Sequence, residues 1–210
     1  MYNIPHFKAS DDAEVLAFLH AYPFATLIAV DAQNKPVATQ VPVFVDQKES
    51  KLFISGHIMR KTDHHLALMH QPKALIVFNG PHTYVSASWY SNPHGASTWN
   101  YTSVHASGMV RFMNDEELEA LLIRTTHFYE KDPASPAGVK HFPEGYLQQH
   151  MKAIIGFEME VASLDHVFKL SQNKDEQTYD RIVNELSKQG PAAVAVAEQM
   201  RNRKHKVFNA

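Results

Sequence analysis

The chain has 210 residues, of which 44% are hydrophobic and 20% are charged, and its formal net charge is -2. This composition can bury one core, so it excludes a chain that is disordered along its length. The charge lacks the excess of Lys and Arg that is typical of nucleic-acid-binding chains, and zero cysteines exclude disulfides, thiolate metal sites and cysteine nucleophiles.

The pattern of residues 1–78 predicts two helices and four strands. Asp11 caps a first helix that ends at Pro23, and two strand-like runs, 24–30 and 37–45, form a hairpin around a turn at 34–36. A third strand at 52–57 leads into a short helix that opens at 60–63, and a fourth strand follows at 74–78.

The rest of the chain is predicted to hold three more strands and a helical tail. Strands at 83–90 and 99–113 flank a loop that contains Pro and Gly, and Asn114 with Glu117 forms the capping box of the next helix. A Pro- and Gly-rich loop at 131–145 precedes a last strand at 154–161. Residues 175–203 are predicted to be helical with a break at Gly190-Pro191.

These elements predict an α+β fold built on one antiparallel sheet. Most strand connections are too short for parallel crossovers, so we expect a closed or half-closed barrel of about six strands with flanking helices. One domain is predicted for 1–174, and 175–210 is predicted to be a helical extension packed on that domain. The sequence shows no basic leader and no apolar run of membrane length, so we expect a cytoplasmic protein without membrane contact.

Arg60-Lys61-Thr62 is the first stretch with ligand-binding chemistry. Two cations and a hydroxyl occur where a strand gives way to a helix, an arrangement that suits a phosphate group. A solvated turn is the alternative, and it is the commoner role of exposed basic residues. The sequence contains neither of the usual Gly-rich phosphate loops, which argues against ATP and NAD bound by those modules.

Aromatic residues are concentrated in the segment 84–101. It holds both Trp and three of the eight Tyr of the chain, interleaved with Ser and Thr. Stacking faces beside hydrogen-bonding groups suit a flat heteroaromatic ligand. A barrel core or a dimer interface explains the same residues equally well, since Trp and Tyr are enriched there too.

Two further patterns leave alternatives open. Residues 169–174 are polar and compact and could bind an anion or a ring edge, although capping is the commoner role of Ser and Asn before a helix. The 14 histidines suggest metal or haem binding, but the adjacent His64 and His65 point to different sides and neither has a His partner at i+4. The nucleophile elbow of many Ser hydrolases is absent from the sequence.

Five motifs occur in a familiar order along the chain. They are Met1-Tyr2-Asn3-Ile4-Pro5-His6-Phe7, Gly80-Pro81-His82-Thr83-Tyr84-Val85-Ser86 with Ser88-Trp89-Tyr90, Thr98-Trp99-Asn100-Tyr101 with Val104-His105, Ile155-Gly156-Phe157, and Lys169-Leu170-Ser171-Gln172-Asn173. On these residues, the chain from Met1 to about Leu186 resembles the PaiB-type family of FMN-binding negative transcriptional regulators.

The resemblance implies a split β-barrel similar to pyridoxamine-phosphate oxidase and flavin reductase domains, with FMN as cofactor. It also implies a homodimer with flavin sites at the subunit boundary. From the spacing of the histidines we expect no metal site. Arg60 and Thr62, with Lys61 between them, are then expected at the flavin phosphate. The other expected contacts are Thr39, Gln40, Val41, Pro42, Ser86, Trp99, Asn100, Tyr101, Ser171, Gln172 and Asn173.

Two stretches depart from the family pattern. The sequence has Lys61-Thr62-Asp63-His64-His65 where Ala-Asn-Pro and an aromatic residue are usual, and Thr39-Gln40-Val41-Pro42 where Thr-His-Leu-Pro is usual. The resemblance implies a regulator whose flavin state alters its contact with DNA or a protein partner. A flavin-dependent oxidoreductase that uses NAD(P)H on a small molecule is an alternative, and a haem or metal binder is a distant one.

Overall fold

The computed structural model describes residues 3–92, 94–132 and 134–208. Met1 and Tyr2 of the opening motif, and Pro93 and Pro133 of two predicted loops, therefore lie outside the described residues. The strands are β1 (Phe24–Val30), β2 (Pro36–Pro42), β3 (Phe44–Lys48), β4 (Lys51–Met59), β5 (Lys73–Val85), β6 (Thr98–Phe112) and β7 (Ile154–Lys169). The helices are α1 (Asp12–Ala21), α2 (Asp63–His70), α3 (Asp115–Glu130), α4 (Tyr146–Met151), α5 (Glu176–Leu186) and α6 (Pro191–Phe208).

The strands form a single sheet in the order β2-β1-β5-β6-β7-β4-β3. The pairs β1–β2, β1–β5, β3–β4 and β4–β7 are antiparallel, which confirms the predicted α+β class and the antiparallel split-barrel sheet. The two edge strands β2 and β3 are consecutive in the chain and are separated only by Val43. The sheet therefore has seven strands where a barrel of about six was expected: the predicted run 37–45 divides at Val43 into β2 and β3, and one strand, β5, takes the place of the predicted strands 74–78 and 83–90.

Several predicted element boundaries are wrong. Residues 83–90 do not form a separate strand, because β5 continues to Val85 and a short 3-10 helix, Ala87–Trp89, follows. Strand β7 is also longer than predicted and extends to Lys169. The capping predictions are confirmed: the Asp11 carboxylate accepts a hydrogen bond from the Glu14 amide, and Asn114 forms the reciprocal box at the start of α3.

Two compact units make up the chain. The first unit consists of Met1–Tyr22, Phe78–His105 and Asp165–Ala210, and the second unit consists of Pro23–Val77 and Ala106–Leu164. The core of the first unit lies between α5, α6 and the 3-10 helix Ala87–Trp89. Within it, the Tyr179 hydroxyl donates a hydrogen bond to the Met200 carbonyl over 2.8 Å. The division into 1–174 and 175–210 stays a prediction.

The second unit is built from the hairpins β1–β2 and β3–β4, with α2 packed against β1, β2 and β4. Residues alternate between a buried and a less buried face along β1, as expected for a sheet with one face on the core. Gly56 on β4 lies in close packing, because a Cβ there would be 3.0 Å from the Pro42 carbonyl oxygen and from the Phe157 ring, and these neighbours would have to shift to admit it.

Candidate functional site

The β2 residues expected beside the flavin ring lie on both faces of the strand. The Val41 side chain is buried in the core, whereas Gln40 is exposed and stands directly opposite Thr26 on β1. Thr39 and Pro42 are half-buried. Of these four residues, Gln40 has the most accessible side chain, so this strand offers a ligand chiefly the Gln40 amide and the backbone.

The expected phosphate stretch forms the turn between β4 and α2. The Thr62 hydroxyl is the N-cap of α2: it accepts from the His65 amide and donates to the Met59 carbonyl over 3.0 Å. Lys61 has a φ of 62°, in the left-handed region that residues other than glycine seldom adopt. The turn is thus held in one conformation by side-chain contacts at both of its ends.

The cations of this turn are available to an anion. Arg60 is half-buried and Lys61 is exposed, and neither has a carboxylate within ion-pair distance among the described residues. Asp63, the nearest acid in the sequence, accepts a hydrogen bond from the His64 amide. Two unpaired cations at the start of a helix fit the phosphate of FMN.

A histidine that was not among the expected FMN contacts follows this turn in the first turn of α2. His64 on α2 is 1% exposed, and its Nδ1 lies 2.9 Å from the Thr39 hydroxyl. Its Nε2 is buried without a partner in the described part of the chain. Burial lowers the pKa of the His64 imidazole, and the Asp63 carboxylate offsets this only in part, so the ring is neutral near pH 7.

His65 holds the turn from the other side. Its Nδ1 accepts a hydrogen bond from the Lys61 amide over 3.0 Å, which leaves the proton of a neutral ring on Nε2. Burial, together with the charge of Arg60, lowers the pKa of His65. In the sequence, the His64-His65 pair was noted as a weak metal candidate and as a departure from the family pattern. Its contacts could not be predicted, because the partners of both rings depend on the register of β2 and on the turn.

In the first unit, the Asn100 side chain is buried and forms hydrogen bonds to two other elements. It is 0% exposed; its Oδ1 accepts from the Ser171 hydroxyl over 3.0 Å, and its Nδ2 donates to the Met200 sulfur over 3.5 Å. The side chain thereby links β6 to the turn after β7 and to α6. A direct contact of Asn100 or Ser171 with FMN stays a prediction, since each side chain already has a partner inside the protein.

The turn after β7 is closed by its own side chains. The Gln172 amide accepts from the Leu170 amide over 2.7 Å and donates to the Phe168 carbonyl over 2.5 Å, so both of its ends are engaged. Ser171 has a φ of 63° within this turn. Asn173 is exposed, and of the three residues expected here it has the most accessible side chain.

An aromatic group is exposed on β5 and β6 of the first unit. Trp99 is 53% exposed, and its ring lies 6.2 Å from the rings of both Tyr84 and His82. Lys169 fixes the backbone there, because its ammonium donates to the Trp99 carbonyl over 3.0 Å and to the Thr98 hydroxyl. The accessible face of Trp99 is the feature of this unit that suits a flat ring best.

The remaining expected residues are Ser86 and Tyr101. The Ser86 hydroxyl caps the 3-10 helix by accepting from the Ser88 amide, and Tyr101 is half-buried. Within the described residues there is no cluster of three or more His, Asp or Glu side chains that could hold a metal ion. No helix in that part of the chain has the length and apolar character to span a membrane.

Comparison with known proteins identifies relatives along nearly the whole chain. Residues 1–163 match the family model described as "Putative FMN-binding domain". The protease synthase and sporulation protein PAI 2 of Bacillus subtilis is 30% identical over 204 residues, which is 97% of this chain and 98% of that protein. An uncharacterized protein of Emericella nidulans is 26% identical and covers 83% of this chain and 82% of its own length.

A solved structure with the same fold is that of a "putative 5-nitroimidazole antibiotic resistance protein" from Bacteroides thetaiotaomicron. Its TM-score is 0.55 at 15% identity, and the match covers 75% of this chain and 84% of that one. The structure of the FAD and heme binding protein from Mycobacterium smegmatis has a TM-score of 0.52 at 16% identity, and the match covers 77% of this chain and 72% of that one. At these identities the two structures show the shared fold alone.

Proposed function

Because this chain belongs to the PaiB-type family of FMN-binding proteins, we propose that it is a regulator which binds FMN and acts through contact with a macromolecular partner. The single observation that carries the regulatory role is the similarity to PAI 2, a protein named for protease synthesis and sporulation, over 97% of the chain. That similarity extends past residue 163, where the match to the FMN-binding family model ends, into the helical tail.

The phosphate of FMN binds at the β4–α2 turn of the second unit. Arg60 supplies the fork of donors that matches a phosphate, and Lys61 adds a second positive charge. Thr62 acts mainly through its backbone, because its hydroxyl proton is committed to the Met59 carbonyl. His64 and His65 are positioning residues, since they hold Thr39 and the Lys61 amide in place.

In the second unit, the flavin ring lies along β2 at Gln40. The first unit, considered by itself, has two exposed groups that suit a flat ring: Trp99 offers a stacking face and Asn173 a hydrogen-bonding amide. Asn100, Ser171 and Gln172 support this surface from inside through their mutual and backbone contacts. When bound, FMN supplies reversible transfer of one or two electrons, and the protein supplies binding and orientation.

The charges of the helical tail favour a protein partner over DNA. Three of the four Lys and Arg residues in the run 201–206 lie within ion-pair distance of a carboxylate of the first unit: Arg203 is buried beside Glu14, Lys204 pairs with Asp180 and Glu176, and Lys206 lies 3.8 Å from Asp11. A phosphate backbone requires cations that are free to replace its counterions. We therefore expect no salt-sensitive shift of promoter DNA in a mobility assay, and a shift that weakens with salt would instead establish direct DNA contact.

The second unit has a face suited to a second copy of the chain. Phe24 is 67% exposed, and the half-buried Ile28 lies on the same side of β1. The register places Leu75 opposite Ile28 and Val77 opposite Thr26, so an apolar surface continues onto β5. Gln40, expected beside the flavin ring, is on this same face, opposite Thr26. A homodimer through this face would bring the ring site to the subunit boundary.

The dimer is tested by light scattering on wild type and two variants. Ile28→Lys places a charge in the middle of the face and should yield a monomer. Leu66→Lys is the matched control, because Leu66 is also an accessible apolar residue but lies on α2. A monomeric wild type, or an Ile28→Lys variant that stays dimeric, would show that this face is not the interface.

The visible spectrum of the isolated protein, with and without added FMN, tests the flavin part of the proposal. Bound FMN gives flavin bands and quenched flavin fluorescence, whereas a spectrum without them after FMN addition would refute the proposal. Mixing the flavin-loaded protein with NADH or NADPH without oxygen tests the regulatory part. A regulator leaves the flavin oxidised on the time scale of turnover, and bleaching at a catalytic rate would establish an oxidoreductase instead.

A further inference from the structure

A pocket of about 390 Å³ lies within the first unit, between α1, the end of β7 and α6. Its size falls within the range of small-molecule sites, roughly 300–1,000 Å³. None of the residues expected to bind FMN lines this pocket. The pocket is therefore a candidate site for a ligand other than FMN, and its lining residues indicate the chemistry of that ligand.

The apolar part of the lining comes from α1 and β7. The Phe18 ring lies 5.4 Å from the Phe168 ring in an edge-to-face arrangement, and Leu170 continues the same wall. Ala17 and Ala21 on α1 also line the pocket, and both are exposed, so their small side chains leave the space open. An aliphatic or aromatic body would bury its surface here.

The polar part of the lining comes from α6 and includes a buried cation. Arg203 is 7% exposed and lies over the Phe168 ring, 5.2 Å from its centroid. Its Nη2 donates to the Lys8 carbonyl over 2.8 Å and lies 3.3 Å from a Glu14 carboxylate oxygen. Its Nη1 is buried and has no partner among the described residues.

A second unsatisfied atom belongs to the same lining. Gln199 donates from Nε2 to the Tyr22 hydroxyl over 3.2 Å, but its Oε1 is buried without a partner in the described structure. A buried donor or acceptor without a partner costs about 1–3 kcal/mol, and native structures retain few of them. Arg203 can donate to an anionic group, and Gln199 can accept from a hydroxyl or amine.

The charges of the pocket favour an anion. Glu14 is its one acidic lining residue, and its carboxylate already accepts from the Ser10 amide as well as Arg203. Arg203 and Lys206 supply two positive charges, and Lys206 is only 3.8 Å from Asp11, a loose pair near the surface. A carboxylate can therefore accept from Arg203 without displacing an existing buried ion pair.

From the apolar wall, the unused guanidinium donor and the net positive lining, we propose that this pocket binds an amphipathic monocarboxylate. The carboxylate is held by Arg203, and the apolar body lies between Phe18 and Phe168. The site is separate from the residues proposed for FMN, so its occupation does not depend on the proposed regulatory function.

Calorimetric titration of the full chain with decanoate tests the site. Wild type should bind one decanoate per chain. Ala17→Trp fills the pocket from an exposed helical position and leaves Arg203 untouched, so it should weaken binding at least tenfold, about 1.4 kcal/mol. Ala120→Trp makes the same change at an exposed position of α3 outside the pocket and should retain wild-type affinity. Thermal unfolding checks that both variants are folded.

The head group and the flavin provide the remaining controls. Decyltrimethylammonium has the same tail with a positive head and should bind at least tenfold more weakly than decanoate. Decanoate should leave the fluorescence of the FMN-loaded protein unchanged. The proposal is overturned by any of four results: no saturable decanoate binding, equal binding by Ala17→Trp, equal binding of the cationic analogue, or displacement of FMN by decanoate.

Discussion

Replacing His64 by Asn should make the stability of the protein less sensitive to acid. Burial lowers the pKa of His64 from its ordinary value of 6.5, so below that pH His64 binds a proton more weakly in the folded chain than in the unfolded chain. Above 6.5 the ring is neutral in both states and contributes no pH dependence. As the pH falls below 6.5, the unfolded state binds the proton more readily, and stability is lost until the folded-state pKa is reached.

The change in the free energy of unfolding with pH has an upper limit, because His64 binds at most one proton. A histidine that stays neutral in the folded state lowers the free energy of unfolding by at most about 1.4 kcal/mol between about pH 7.5 and about pH 5.5. His64 is 1% exposed, so solvent screening removes little of this amount. Burial also lowers the pKa of four further histidines, which add to the slope of the wild type: His57, His65, His105 and His166.

Urea unfolding followed by tryptophan fluorescence at the two pH values measures the difference. Asn can retain a hydrogen bond to Thr39 near the position of Nδ1 and does not titrate. His70→Gln is the matched control, because it removes an exposed histidine from the same helix and leaves the buried His64 in place. An identical loss of stability in wild type and His64→Asn would refute the reasoning, because it would show that His64 accepts its proton without cost in the folded chain.

Two further predictions concern packing in each unit. Gly108→Ala should prevent stable folding, because the new Cβ would lie 2.0 Å from the Glu160 carbonyl oxygen. Gly190→Ala is the control and should melt at the wild-type temperature, because a Cβ there would have no atom within 4 Å. A wild-type melting temperature for Gly108→Ala would contradict the strand packing. Asn100→Ala and Ser171→Ala should each cost about 1–3 kcal/mol in urea unfolding, because each leaves a buried partner unsatisfied, and the double variant should cost less than the sum. Strict additivity would show that the two side chains are not coupled.

Local signals in the sequence predicted most of the fold. The capping residues Asp11 and Asn114 mark helix starts that the structure confirms, because a cap depends on residues only a few positions apart. The break before Pro191 is also where the tail divides into α5 and α6. The end of β5 was missed, since whether a strand continues depends on its partners in the sheet rather than on its own residues.

The candidate site was less predictable from sequence. The motif residues Asn100 and Gln172 look like ligand contacts, but their amides are engaged inside the protein by partners that become neighbours only through folding. The Thr39–His64 contact joins residues 25 positions apart and could not be read from either motif alone. Arg60 and Lys61 were predictable as cations, whereas the absence of a carboxylate within ion-pair distance of them among the described residues required the structure.

The proposed flavin site depends most directly on binding of the FMN phosphate at the β4–α2 turn. Fluorescence titration of wild type and Arg60→Gln with FMN and with riboflavin tests it, because riboflavin has the same ring without the phosphate. We predict that Arg60→Gln weakens FMN at least tenfold, about 1.4 kcal/mol, and leaves the affinity for riboflavin unchanged. Equal losses for the two flavins, or no loss for either, would contradict the assignment of Arg60 to the phosphate.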